Sequence, residues 1–175
     1  TNTLEGKNGG QLIISTSGSG NAGKLTINAN QNIIFDGESP TQFDFNRGAF
    51  ANSGGYNIVQ SGALGSTEGI EINTTTLEIL KNAQIASNTE GKGDAGQVKI
   101  NANEITLDGE GSQGDRRSFI GIANEVNLSG EGSAQGIEIN TTTLEILNGS
   151  KISSVTRNIG DAGNITITAE IVKLD

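Results

Sequence analysis

The residue types that could carry out chemistry in this chain are few. Across 175 residues there is no His, Cys, Met or Trp, aromatics make up 3%, and 26 residues are Gly. Without imidazole or thiol, proton transfer and nucleophilic attack fall to carboxylates, lysines and hydroxyls. The most regularly spaced carboxylates, Glu71 and Glu78, recur as Glu138 and Glu145 within a phrase repeated letter for letter. An active site is unique, whereas a solvated face can be duplicated, so the recurrence speaks against a catalytic pair. Carbohydrate-active β-helix enzymes commonly need clustered carboxylates, a base and often calcium. Such an enzyme is the rival reading here. No catalytic residue is expected.

Metal and cofactor chemistry fares no better. The phrase Gly91-Lys-Gly-Asp-Ala-Gly96 would suit calcium if it returned every nine residues and set carboxylates on successive turns. Instead Asp94 and Asp161 lie 67 residues apart, and the first copy has Asn21. These residues read as turn formers, and neither metal nor cofactor is expected. Thr74-Thr-Thr76 and Thr141-Thr-Thr143 raise an ice-binding solenoid as a third reading. Because the triplet falls only in alternate coils, at a corner, packing of a bend is the better account. Asn73, Asn127, Asn140, Asn148 and Asn164 each match the N-glycosylation pattern. In so Asn- and Thr-rich a chain they read as structural.

Contact residues are then sought in the variable segments. Glu38 to Arg47 carries Phe43 and Phe45, Gly54 to Glu68 carries Tyr56, and Gly111 to Ser118 carries Asp115, Arg116 and Arg117. Loops tolerate change and often bear function, so these six are candidate contacts to carbohydrate, another filament or a cell surface. A formal charge of -9 without a Lys/Arg cluster argues against nucleic acid. The absence of Cys rules out disulfides but is compatible with export. No apolar run approaches the ~18 residues of a membrane-spanning helix. The chain opens inside a repeat, as a piece of a longer protein would.

The elements that must position these residues follow from that repeat. Gly69-Ile-Glu-Ile-Asn-Thr-Thr-Thr-Leu-Glu-Ile-Leu80 returns as Gly136 to Leu147, and Gly20-Asn-Ala-Gly23 returns as Gly93-Asp-Ala-Gly96 and Gly160-Asp-Ala-Gly163. This divides the chain into an irregular start at 1–22, a repeat at 23–95, a second at 96–162 and the opening of a third at 163–175. Each full repeat splits in two. The parts opening at Gly69 and Gly136 are both 27 residues long, and those opening at Gly23 and Gly96 are 46 and 40. The first kind reads as a bare coil and the second as a coil carrying loops.

Every part holds three short period-two apolar runs, such as Ile70/Ile72, Leu77/Ile79 and Ala83/Ile85, separated by Gly, Asn and Asp. Three strands per turn with such corners make an all-β, triangular parallel β-helix, a solenoid whose thin core suits β-branched side chains. Stacked in register, Leu25, Ile70, Val98, Ile137 and Ile165 should form one inner column, and Phe50, Ile85, Ile122 and Ile152 another. Outside, Asn28, Asn73, Asn101 and Asn140 should form an amide ladder beside Glu71, Lys99 and Glu138. Residues 1–22 are expected to give one strand and a connector. Val172 and Leu174 are expected to lack a neighbour above them, inviting end-to-end self-association or further coils.

The alternation of Gly-Asn/Asp-Ala-Gly, Ile-x-Ile, Asp-Gly, Leu-x-Ile-x-Asn-Gly and Ile-x-Ser resembles the repeats of filamentous-haemagglutinin-like exoproteins, of a type common in cyanobacteria. The resemblance covers nearly all of residues 10–175. It implies a right-handed β-helix, in keeping with the general hand of parallel crossovers. It also implies two-partner secretion through an outer-membrane transporter, and location outside a Gram-negative-type cell or on its surface. The function it implies is that of an adhesin: cell adhesion, aggregation or display of a distal effector.

Overall fold

A computed structural model describes residues 1–44, 49–111 and 120–175, with the backbone alone at 42–44 and 49–50. Its described residues form strands and turns without a helix. The apolar alternations are only two or three residues deep and are bounded by Gly, Asn and Asp, so each makes a short strand and then turns.

In chain order the strands are β1 (Thr3–Lys7), β2 (Gln11–Thr16), β3 (Leu25–Asn28), β4 (Asn32–Asp36), β5 (Glu38–Asp44), β6 (Ala49–Asn52) and β7 (Gly54–Val59). There follow β8 (Ile70–Asn73), β9 (Thr76–Leu80), β10 (Gln84–Thr89), β11 (Val98–Asn101), β12 (Glu104–Asp108) and β13 (Gly121–Val126). The last are β14 (Ile137–Asn140), β15 (Thr143–Leu147), β16 (Lys151–Thr156), β17 (Ile165–Thr168) and β18 (Ile171–Leu174).

These strands build three parallel sheets that the chain visits in turn. The first stacks β3-β8-β11-β14-β17, the second β1-β4-β9-β12-β15-β18, and the third β2-β7-β10-β13-β16. The fold is thus a parallel β-helix with three strands per coil, and coils opening at Gly23, Gly69, Gly96, Gly136 and Gly163 lie consecutively. Among the described strands only β5 and β6 stand apart, as an antiparallel pair within the first long coil.

Register follows the expected columns in the first sheet. Val98 sits between Ile70 and Ile137, Leu25 precedes Ile70, and Ile165 follows Ile137. The amide ladder is formed: Asn73 Nδ2 donates to Asn28 Oδ1 (2.9 Å), Asn101 to Asn73 (2.8 Å) and Asn140 to Asn101 (3.1 Å). One continuous core runs along the axis, with Ile70, Ile72, Leu77, Ile79, Ile85, Ile100 and Ile122 fully buried. Each such side chain contributes about 1.5–3 kcal/mol by burial. Phe35 is the largest of them, and room for it is made by its register partner Gly6, where a Cβ would come within 2.8 Å of the ring.

Two expectations are corrected. Phe50 does not join the column of Ile85, Ile122 and Ile152; that place is taken by Gly55, and Phe50 lies in β6 opposite Phe43. Residues 1–22 supply two strands rather than one. β1 pairs with β4 in the second sheet and β2 with β7 in the third.

Candidate functional site

The large departures from the bare coil occur at one corner, between the second and third sheets; between the third and first sheets the long coils are only two residues longer than the short ones. Short coils cross the variable corner in three residues, Lys81 to Ala83 or Asn148 to Ser150. The long coils leave after Asp36-Gly37 and return at Gly54, or leave after Asp108-Gly109 and return at Gly121. The corner has its own ladder: Asn8 N donates to Asp36 O (3.3 Å), Gly37 N to Leu80 O (3.2 Å), Lys81 N to Asp108 O (2.7 Å) and Gly109 N to Leu147 O (3.2 Å). Asn8, Gly37, Lys81 and Asn148 all take left-handed backbone angles there, with φ of 54, 74, 56 and 52°.

Side chains tie this corner from coil to coil. Lys81 Nζ lies 2.8 Å from Asp36 Oδ1, and Asn148 Nδ2 donates to Asp108 Oδ1 at 2.8 Å. Each long-coil aspartate therefore holds the corner residue of the following short coil. Around Lys81 the bases of the two excursions enclose shallow clefts. One of about 220 Å³ is lined by Asn8, Asp36, Gly37, Glu38, Lys81, Asn82 and Gly111. Another, of about 330 Å³, is lined by Leu80, Lys81, Asp108, Glu110 and Gly111. One lysine among four carboxylates gives a groove rich in acceptors, suited to hydroxyl or amide donors. It does not pair a nucleophile with a base. Among the described residues no group of three or more His, Cys, Asp or Glu side chains converges to hold a metal.

Of the contact residues expected from the sequence, Tyr56 is overturned. It lies in β7, paired on both sides by β2 and β10, and is 3% exposed. Its ring clusters with Ile58, Ala86 and Ala123, and its hydroxyl donates to Asn52 O (3.2 Å). Gly54 to Val59 is thus a strand whose two faces are both buried, and its continuous burial reflects cover on the outer side of the third sheet. Phe43 lies in β5, placed by its backbone alone, and Phe45, Asp115, Arg116 and Arg117 lie outside the described residues.

Sequence reasoning read Asp36-Gly37, Asp108-Gly109 and Asn148-Gly149 as corners between strands, but it did not single out Lys81 or expect these corners to join into one groove. The signal was present, since Asp-Gly ends the second-sheet strand of each long coil, and Lys-Asn or Asn-Gly follows that of each short coil. The threonine triplets are corner pieces: Thr74 Oγ1 donates to Gln31 O (3.0 Å), Thr75 Oγ1 to Asn30 O (2.9 Å) and Thr141 Oγ1 to Asn103 O (3.0 Å). The Asx turns also have partners, with Asn21 Oδ1 accepting from Ser66 N (2.9 Å) and Asp94 Oδ1 from Ser133 N (2.8 Å).

On the outer face of the first sheet, Lys99 stands in register between Glu71 and Glu138. Lys99 Nζ is 2.9 Å from Glu138 Oε1, and Lys24 pairs with Glu71. The hydrogen bond from Lys24, followed by that from Asn73, lowers the Glu71 pKa, and those from Lys99 and Asn140 lower that of Glu138. The bond to Glu138 raises the Lys99 pKa.

The chain is thereby a three-strand parallel β-helix whose large excursions leave one corner of alternate coils. Comparison with protein families, with curated proteins and with solved structures finds no match.

Proposed function

We propose that this chain is part of a rigid extracellular stalk in a large secreted surface protein, and that its excursions make adhesive contacts with cells, filaments or polysaccharide. The observation that carries the reading is the placement of both excursions on one edge, with a bare coil between them. Two coil steps of about 4.8 Å put their bases ~10 Å apart along a stiff axis. That arrangement suits repeated display better than a single enclosed reaction site. The repeat phrases shared with filamentous-haemagglutinin-like proteins support export through an outer-membrane transporter.

Replacing residues 38–52 by an Asn-Gly corner tests the contact role. The spectrum should keep its β character, while melting falls because Tyr56 loses the Asn52 acceptor and some of its cover. Attachment to cells or polysaccharide should weaken. Tyr56→Phe, which drops the hydroxyl bond and keeps the excursion, should attach like the parent. If excision of 38–52 and of 110–119 leaves a folded protein that attaches equally well, the contact role is lost and the segment is a spacer only.

A further inference from the structure

Two polar columns run along the molecule with residue types that alternate from coil to coil. On the inner face of the third sheet, Asn57, Ser87, Asn124 and Ser154 are in register, and so are Val59, Thr89, Val126 and Thr156. Asn57, Ser87 and Asn124 are fully buried. Asn57 Nδ2 donates to Gly23 O and Gly69 O, both at 2.7 Å. Asn124 Nδ2 donates to Gly96 O (2.9 Å) and Ser87 O (3.0 Å), and its Oδ1 accepts from Gly136 N. Each long-coil asparagine therefore ties its third strand to the opening glycines of its own coil and of the next. The serine between them cannot reach so far, and Ser87 Oγ instead meets Thr67 Oγ1 at 3.1 Å.

The second column stands at the corner between the third and first sheets. Ser66 N donates to Asn21 Oδ1, Asp94 N to Ser66 Oγ (2.9 Å), Ser133 N to Asp94 Oδ1 and Asp161 N to Ser133 Oγ (3.4 Å). Here the assignment is the opposite of the first column: the long coils supply Ser66 and Ser133, and the short coils Asp94 and Asp161, so the two classes still alternate.

We propose that these columns are a coil-order code, under which a long coil stacks stably only between short ones. Two buried asparagines in successive coils would compete for one space and for the same glycine carbonyls. Two successive serines would leave a void and unpaired backbone groups at the opening glycines. A buried amide that fixes register at some expense of stability has precedent in coiled coils. The code keeps excursions two coils apart, and it holds whether or not they make adhesive contacts.

Two deletions test it. Removing residues 93–131 takes out one long coil and leaves two short coils adjacent. Removing residues 65–131 takes out a short and a long coil and preserves alternation. Both remove the same excursion, and each join falls before Gly132, so the natural opening of the following coil is kept. Both carry Glu138→Lys and Glu145→Thr, which prevents carboxylates of successive coils from stacking. The smaller deletion, despite retaining more chain, should melt lower than the larger by about 5–10 °C. Adding Ser154→Asn with Thr156→Val restores the alternation of amide, hydroxyl and amide along the buried column. It should raise melting of the smaller deletion by a similar amount and fail to raise that of the full chain, where it sets two asparagines in succession. The proposal is overturned if the smaller deletion melts as high as the larger, or if the added pair shifts deletion and full chain alike.

Discussion

Between Gly69 and Gly96 the chain completes a coil in 27 residues; between Gly23 and Gly69 it takes 46. Yet the two coils point nearly the same side chains inward. Ile70, Ile72, Leu77, Ile79 and Ile85 in one answer Leu25, Ile27, Ile33, Phe35 and Gly55 in the other, with the bulk of Phe35 set against the absence of a side chain at Gly55. The ladders on either side of the variable corner continue without a change of register. Length is free there because the inner columns do not depend on what the corner carries, and each doubling of a loop costs only about 0.6 kcal/mol in closure entropy. In a solenoid the coil is the unit of stability and the corner is the unit of variation.

The strongest way to break this comparison is to damage the shared interior in each class of coil. Ile72 in a short coil and Ile100 in a long one are register partners, and both are fully buried. Aspartate at either place buries an unpaired carboxylate, costing several kcal/mol and exceeding what one coil can absorb. Ile72→Asp and Ile100→Asp should therefore abolish cooperative melting to the same degree, as followed by circular dichroism. A large difference between them would mean that the two classes of coil do not share one core.

A smaller effect sharpens the comparison at the corner itself. The long coil uses Gly37 for its left-handed residue, whereas the following short coil uses Lys81 in the same conformation. A lysine there is strained by roughly 1 kcal/mol, and its half-exposed ion pair with Asp36 returns little of that. Lys81→Asn should stabilise the protein by up to about 1 kcal/mol, since Asn tolerates this backbone and can donate to Asp36 as Asn148 does to Asp108. Asn148→Lys should do the reverse. Urea melts of the two variants would measure both.

The corner also shows what could be read without coordinates. Three strands per coil, their order and the first-sheet columns were legible, because an aliphatic-x-Ile-Asn strand opens four successive coils and a one-residue slip would turn every side chain over. Tyr56 was misread because Gly54-Gly55 looks like a loop. In the fold Gly54 admits the close approach of the neighbouring coil, where a Cβ would overlap Gln84 O, and Gly55 leaves room for Leu25 of its own coil. Cover on the outer face of the third sheet could not be foreseen, since alternation predicts only one buried face. The Asn57/Ser87 alternation was readable, with Asn57 to Asn124 and Ser87 to Ser154 both 67 residues apart. Attention to apolar periodicity passed over it.

The smallest effect concerns the outer face, where the two classes of coil differ in charge. Short coils place Glu71 and Glu138 on either side of Lys99 from a long coil. Both carboxyls have folded pKa values below the ordinary 4.5, so their contribution to stability is present above that pH and fades as pH falls through the lowered values. The Lys99 pKa is raised above 10.5, so its contribution is present below that pH and is lost as pH climbs through the raised value. Stability should be flat across this window and decline gently at both ends, because all three groups are partly solvated. Lys99→Glu would set three carboxylates in one column. The variant should be less stable than the parent at neutral pH, and the deficit should shrink as pH falls and the stacked acids take up protons. High salt should narrow the same gap by screening. Denaturant melts of the two proteins across pH would read the difference. A deficit independent of both pH and salt would show that Lys99 acts through packing of its alkyl chain and not through the charge it sets between two short coils.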